Sequence, residues 1–293
     1  MSDQLALFDL PELDGPVQSF RPFRYPIWTE NKARLIERYL YYFVLITKHG
    51  AYIDGFAGPQ EPDEPEMWAA KLVLESKPRW LRSFFLCDAK HTQFELLEEL
   101  KASQAAPMKG EPKRSISTYN SDFNNVVREI LDSEQIGDRT ATFCLLDQRT
   151  FECHWETVRD LATHKPTGMK IEQFYFLGSG WLDRALSAVQ DEKKVEAWWG
   201  NSDWTVLRTL NPYDRTKLFC DRFKSEFGYK TVLAFPIYER SDGGGRIMYH
   251  MIHATDHPEA PNLMARAYRR AVSAKEPLEQ LELEFDQWRK SGG

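Results

Sequence analysis

The chain has 293 residues, 42% hydrophobic and 28% charged, with a formal net charge of −6. That make-up is ordinary for a globular protein and excludes a global basic field for nucleic acid, though a local basic face remains compatible with it. No signal peptide and no apolar run of about 18 residues is present, so neither secretion nor membrane spanning is expected and the chain reads as cytoplasmic. The cysteines (Cys87, Cys144, Cys153, Cys220) form no CxxC pair. A zinc knuckle or disulfide framework is therefore not expected, and a reducing compartment fits.

Residues 1–22 are rich in Asp, Pro and Leu without sustained periodicity and read as a mobile tail; 23–293 read as one domain. Thr29 is placed to cap a helix running to about residue 48, with Leu35, Ile36, Tyr39, Leu40 and Phe43 on one face. The next stretch is Ala51-Tyr-Ile-Asp-Gly-Phe-Ala-Gly-Pro59, an apolar β-prone run that ends in an acid and then turns on small residues. In an α/β protein this is how a first strand reaches a loop at the sheet's carboxyl edge, where ligands bind. Asp54 is wrong for phosphate and suits a positive amine or ribose hydroxyls, while Gly55 and Gly58 allow close backbone approach. A bare strand and tight turn would explain these nine residues as well.

An acidic, proline-rich loop over 60–65 and a helix over 66–76 follow. The alternation then repeats: strand 80–87 stopped by Asp88, helix 91–103, strand 115–119, and Ser121-Asp-Phe-Asn124 opening a helix to Leu131. Strand 140–146 ends at Asp147, helix 155–162 follows, and strand 171–177 precedes a helix over 181–189. Strands alternating with helices predict a mostly parallel, doubly wound sheet. Residues 178–228 read as mostly helical and rich in tryptophan, with an insertion over about 181–227. Strands over 230–238 and 246–255, joined by Ser-Asp-Gly-Gly-Gly, predict an antiparallel hairpin at one edge. Helices over 258–274 and 278–289 close the chain.

Consecutive strand runs before a terminal hairpin match the class I methyltransferase sheet of about seven strands, whose cofactor lies across the first strands' carboxyl ends. Acids close or follow four consecutive strands: Asp54, Asp88, Asp122 and Asp147. Each alone is weak, because Asp is common in turns and caps. The chain also resembles the three-Cys-motif partner protein (TcmP) family, a bacterial group similar to S-adenosylmethionine-dependent methyltransferases. The resemblance rests on Trp28-Thr-Glu-Asn-Lys32, Tyr52-Ile-Asp-Gly-Phe-Ala-Gly-Pro59, Ser121-Asp-Phe-Asn124, Leu146-Asp147 with Trp155-Glu-Thr-Val158, and Tyr249-His-Met-Ile-His-Ala-Thr-Asp-His-Pro258.

The resemblance implies an S-adenosylmethionine site. Asp54, Gly55, Phe56, Ala57 and Gly58 would take the methionine half, Asp88 the ribose, and Asp122 with Phe123 the adenine. Asp147 and Gln148 would orient an acceptor amine on a nucleic-acid base, and the 181–227 insertion would form a lid. It also implies a partner protein with a three-cysteine motif, which the four cysteines here are not. The chain departs from the family in two places: Gln60 replaces a glycine, and Asp147-Gln148-Arg149-Thr150 replaces Asp-Pro-aromatic-Gly. Phe151 offers a stacking ring or a core residue. The departures keep a second reading open, in which the fold is a non-catalytic adaptor in a defence or mobile-element system.

Weaker constellations complete the inventory. His250, His253 and His257 invite a metal reading, but the first two are an odd number apart on a strand and face opposite sides. Cys153 and His154 beside Glu152 are adjacent, and adjacent residues rarely face each other as a nucleophile and base do. Trp198, Trp199 and Trp204 either stack on bases or pack a helical cap. Finally, Gln4, Leu5, Leu7 and Phe8 resemble the short peptide with which bacterial DNA enzymes dock on the replication sliding clamp, which favours DNA over RNA.

Overall fold

A computed structural model describes residues 27–28, 32–238 and 247–272. The tail with Gln4, Leu5, Leu7 and Phe8, the expected cap Thr29, the glycine-rich hairpin linker and the helix expected over 278–289 all lie outside these residues. Among them, strands and helices alternate. Strand β1 (Ile27–Trp28) precedes helix α1 (Lys32–Thr47), and β2 (Ala51–Asp54) leads through a 3-10 turn (Pro65–Met67) to α2 (Ala69–Glu75). Then come β3 (Ser83–Asp88), α3 (His91–Ala102), β4 (Ser115–Asn120), α4 (Phe123–Leu131), β5 (Thr142–Leu146) and α5 (Trp155–Thr163). Strand β6 (Glu172–Leu177) is separated from β7 (Thr231–Tyr238) by α6 (Leu182–Ser187), α7 (Glu192–Trp199), a 3-10 turn (Ser202–Arg208) and α8 (Pro212–Phe227). Strand β8 (Ile247–Thr255) and α9 (Ala260–Val272) follow.

The strands form one sheet in the order β1-β7-β8-β6-β5-β2-β3-β4. Every pairing is parallel except those of β8, which runs antiparallel to both β6 and β7. This is a mixed α/β fold, mostly parallel with an antiparallel end. The two-residue β1, parallel to β7, has no sequence signal, since a strand this short shows no alternation. Strand β3 starts later than the apolar run suggests. Trp80 N–H closes a turn onto the Pro78 carbonyl at 2.8 Å, and the Trp80 ring lies under the Lys48 ammonium at 4.3 Å.

Alternation along each strand sends side chains to two cores. On one face, Ala51, Ile53, Cys144 and Tyr175 pack with α4, α5 and the α6–α8 insertion. On the other, Tyr52, Phe143, Phe174 and Phe176 pack with α1, α2, α3 and α9. The insertion packs on its face as a layer. Arg222 is sandwiched between the Trp155 and Trp199 rings at 4.1 and 3.9 Å, and Trp198 and Trp199 pack on Phe219. Trp198, Trp199 and Trp204 are only 1%, 4% and 1% exposed. The base-stacking reading of these tryptophans therefore fails, and the packed-cap reading holds.

The histidines lie on opposite faces, as their spacing requires. His253 meets Glu172 at 2.8 Å and the edge of Tyr39, while Tyr39 also donates to Glu172. His250 meets Ser179 at 2.6 Å and Thr216 at 3.1 Å. Among the described residues, no group of three or more His, Cys, Asp or Glu is placed to hold a metal ion, and no helix is long and apolar enough to cross a membrane.

Candidate functional site

Strand β2 pairs with β3 on one side and β5 on the other, so the chain reverses its direction of travel across the sheet at β2. In an open parallel sheet such a reversal opens a crevice at the strands' carboxyl ends. The loops after β2, β3, β4 and β5 meet there around a cavity of about 290 Å³. Gly55, Phe56, Gly58, Asp88, Asp122, Phe123 and Asp147 line it, together with Gln60, Lys90, Gln93, Arg149, Phe151, Glu152, His154 and Lys194.

The loop after β2 is tied down at each amide. Gly55 N–H donates to the Leu145 carbonyl at 3.1 Å and Phe56 N–H to Asp54 Oδ1 at 3.1 Å. Ala57 N–H donates to the Cys87 carbonyl at 2.8 Å, and Gly58 N–H to Asp88 Oδ2 at 3.1 Å. With these donors committed, the loop is no phosphate cradle. Neither Gly55 nor Gly58 adopts positive φ; both are needed for closeness. A Cβ on Gly55 would lie 2.7 Å from the Phe123 ring, and one on Gly58 would lie 2.6 Å from Asp88 Oδ2.

Three expected site residues do not line the cavity. Ala57 is buried, with its N–H on β3 and its carbonyl accepting from the Trp68 indole at 2.6 Å. Gln148 is 2% exposed, and its side-chain oxygen accepts from Cys153 N–H at 2.9 Å and Glu152 N–H at 3.3 Å. Its side chain closes the turn after β5 and does not orient an acceptor. Asp54 is 1% exposed beneath the loop, accepting from Tyr52 Oη at 2.7 Å as well as from Phe56 N–H. Phe151 is largely core, edge-on to Trp198 at 4.9 Å.

Burial raises the Asp54 carboxyl to about 7, against the opposing hydrogen bonds from Tyr52 and Phe56, with the charges of Asp147 and Asp88 adding to the rise. The sign follows from linkage. Unfolded Asp loses its proton near 3.9. Between there and about 7 the folded state binds more protons, so stability falls as pH rises through that window. The loss is on the order of 4 kcal/mol if the whole shift is realised. Asp54→Asn should flatten the wild-type slope of unfolding free energy between pH 4 and 7 in urea titrations. Parallel slopes in both proteins would show that Asp54 is ionised throughout.

The remaining acids face the cavity with acceptor capacity to spare. Asp88 takes Gly58 N–H on Oδ2 and Lys90 N–H at 2.9 Å on Oδ1, leaving further lone pairs on each oxygen. Asp122 caps α4 by accepting from Asn124 N–H at 2.9 Å. Asn124 then ties that cap to the loop after β5, donating to the Glu152 carbonyl and accepting from His154 N–H, both at 2.8 Å. Phe123 sits under Gly55 and beside Phe56.

Asp147 carries a partner that no local pattern reveals. Lys32, at the start of α1, reaches Oδ1 at 2.8 Å and Oδ2 at 2.7 Å, while lying 4.8 Å over the Tyr249 ring and 5.0 Å over that of Phe176. The side chains are 9% and 12% exposed. Gln60 adds a long contact at 3.4 Å. The circuit continues: Trp181 packs edge-on to Tyr249 at 4.8 Å and donates its indole N–H to the Arg149 carbonyl at 3.0 Å. The acid at the end of β5 is thus fixed and neutralised from behind, with its remaining face on the cavity.

No protein-family model and no curated protein matches this chain. Among solved structures it is similar to protein LPL1258 from Legionella pneumophila, of family DUF519, at 9% identity and a TM-score of 0.45. The likeness covers 85% of this chain and 94% of that one. At that level it supports neither a family nor an activity.

Proposed function

We propose that the chain is a class I S-adenosylmethionine-dependent methyltransferase of the three-Cys-motif partner type, acting on an amino group of a nucleic-acid base. The observation that carries the reading is the convergence of Asp88, Asp122 and Asp147 on one cavity at the point where the sheet reverses. Acceptors spaced along the ends of β3, β4 and β5 suit, in turn, ribose hydroxyls, an adenine amine and an acceptor amine. Asp147 would accept from the target amine, and Lys32 would hold its side chain in one orientation. Catalysis would be mainly alignment, because the sulfonium arrives activated and an in-line attack needs positioning.

The Lys32–Asp147 pair also favours a second reading. A carboxylate already satisfied by a lysine suits a cofactor-stabilised adaptor that performs no transfer. Incubation with methyl-labelled S-adenosylmethionine and oligonucleotides separates the two: label in the nucleic acid supports the enzyme, and retention of cofactor without transfer supports the adaptor. Absence of cofactor binding removes both.

A further inference from the structure

The cavity's charge is layered. Its more deeply set acids are Asp88, Asp147 and Glu152, each only partly exposed, whereas Asp122, Lys90, Arg149 and Lys194 are exposed around them. Lys90 comes from the loop after β3; Arg149 and Lys194 come from the loop after β5 and from α7. They therefore stand on either side of β2. None of the three forms an ion pair among the described residues, and no side-chain hydrogen bond ties them down.

A ligand fitting this layering is anionic outside and rich in amine or hydroxyl groups inside. A phosphate driven to the floor would face several carboxylates, while at the lip it would meet three free cations. A cavity of about 290 Å³ is the size of a small-molecule site and cannot admit a duplex. We propose that Arg149, Lys194 and Lys90 form a phosphate-binding rim for a single-stranded polynucleotide, with one base extruded past them toward Asp147. Lys194 gives the 181–227 insertion its part in recognition, through one exposed cation of α7 and not through its buried tryptophans. This inference rests on the nucleic-acid half of the proposed function and is independent of transfer.

The test is fluorescence anisotropy with a labelled single-stranded oligonucleotide, comparing the full-length wild type with Arg149→Glu/Lys194→Glu at several salt concentrations. The double variant should bind at least tenfold more weakly, and its slope of log affinity against log salt should be shallower by about 1.4, two phosphates at roughly 0.7 each. Both side chains are exposed and unpaired, so the variant keeps its fold, checked by circular dichroism. S-adenosylhomocysteine affinity, measured by calorimetry on the same two proteins, should not change. Unchanged oligonucleotide affinity and salt slope would overturn the rim. So would weakened S-adenosylhomocysteine binding with oligonucleotide affinity intact, which would assign the cations to the cofactor's carboxylate. A wild type that binds S-adenosylhomocysteine but no oligonucleotide would overturn the rim while leaving the cofactor site standing. Oligonucleotide binding that needs the two cations, without S-adenosylhomocysteine binding, would uphold the rim and remove the methyltransferase reading.

Discussion

Lys32→Met should destabilise the protein by about 3 kcal/mol, the cost of leaving a nearly buried carboxylate without its partner. The loss has two parts: the two-oxygen contact with Asp147, and the cation's placement over Tyr249 and Phe176. Desolvated cation–π contacts of this kind contribute up to about 2 kcal/mol. Adding Asp147→Leu should restore much of the stability, because an apolar pair of similar volume often replaces a buried ion pair at little cost. Urea unfolding midpoints of the wild type, single and double variants measure this directly. A single-variant loss below about 1 kcal/mol would place the pair among exposed salt bridges and remove its organising role.

Asp88→Ala should weaken S-adenosylmethionine binding at least tenfold while the protein stays folded. Losing a charge-assisted hydrogen bond is worth roughly 1.5–3 kcal/mol, which is that factor or more. The carboxylate also takes Gly58 N–H, so the variant loosens the loop proposed to cover the cofactor's methionine half. Both effects act in the same direction. Calorimetry giving equal affinities for variant and wild type would remove the ribose assignment.

Much of the fold was legible because β2, β3 and β5 each announce themselves twice, by an apolar run and by the acid that ends or follows it. The hairpin was legible from its glycine-rich linker. Lys32 was not. It lies 115 residues from Asp147, and at the start of a helix a lysine reads as a solvated end. Only the crossover from β1 through α1 brings it over the carboxyl end of β5. Asp54 and Gln148 were misjudged for a related reason. A polar residue beside a turn reads as exposed, yet both are drawn inward by neighbouring N–H groups, Asp54 by Phe56 and Gln148 by Cys153. The tryptophans of the insertion left two readings open, since composition cannot distinguish a ring stacked on a base from one packed on Phe219.

The most direct measurement is a crystal structure of the protein with S-adenosylhomocysteine. The expected result has the adenine beside Asp122 and Phe123, both ribose hydroxyls on Asp88, and the sulfur at the Gly55–Gly58 loop, aimed at the Asp147 carboxylate. Lys32 should remain on Asp147. Density for the ligand outside this cavity, or calorimetry showing no binding at millimolar concentration, would contradict the account.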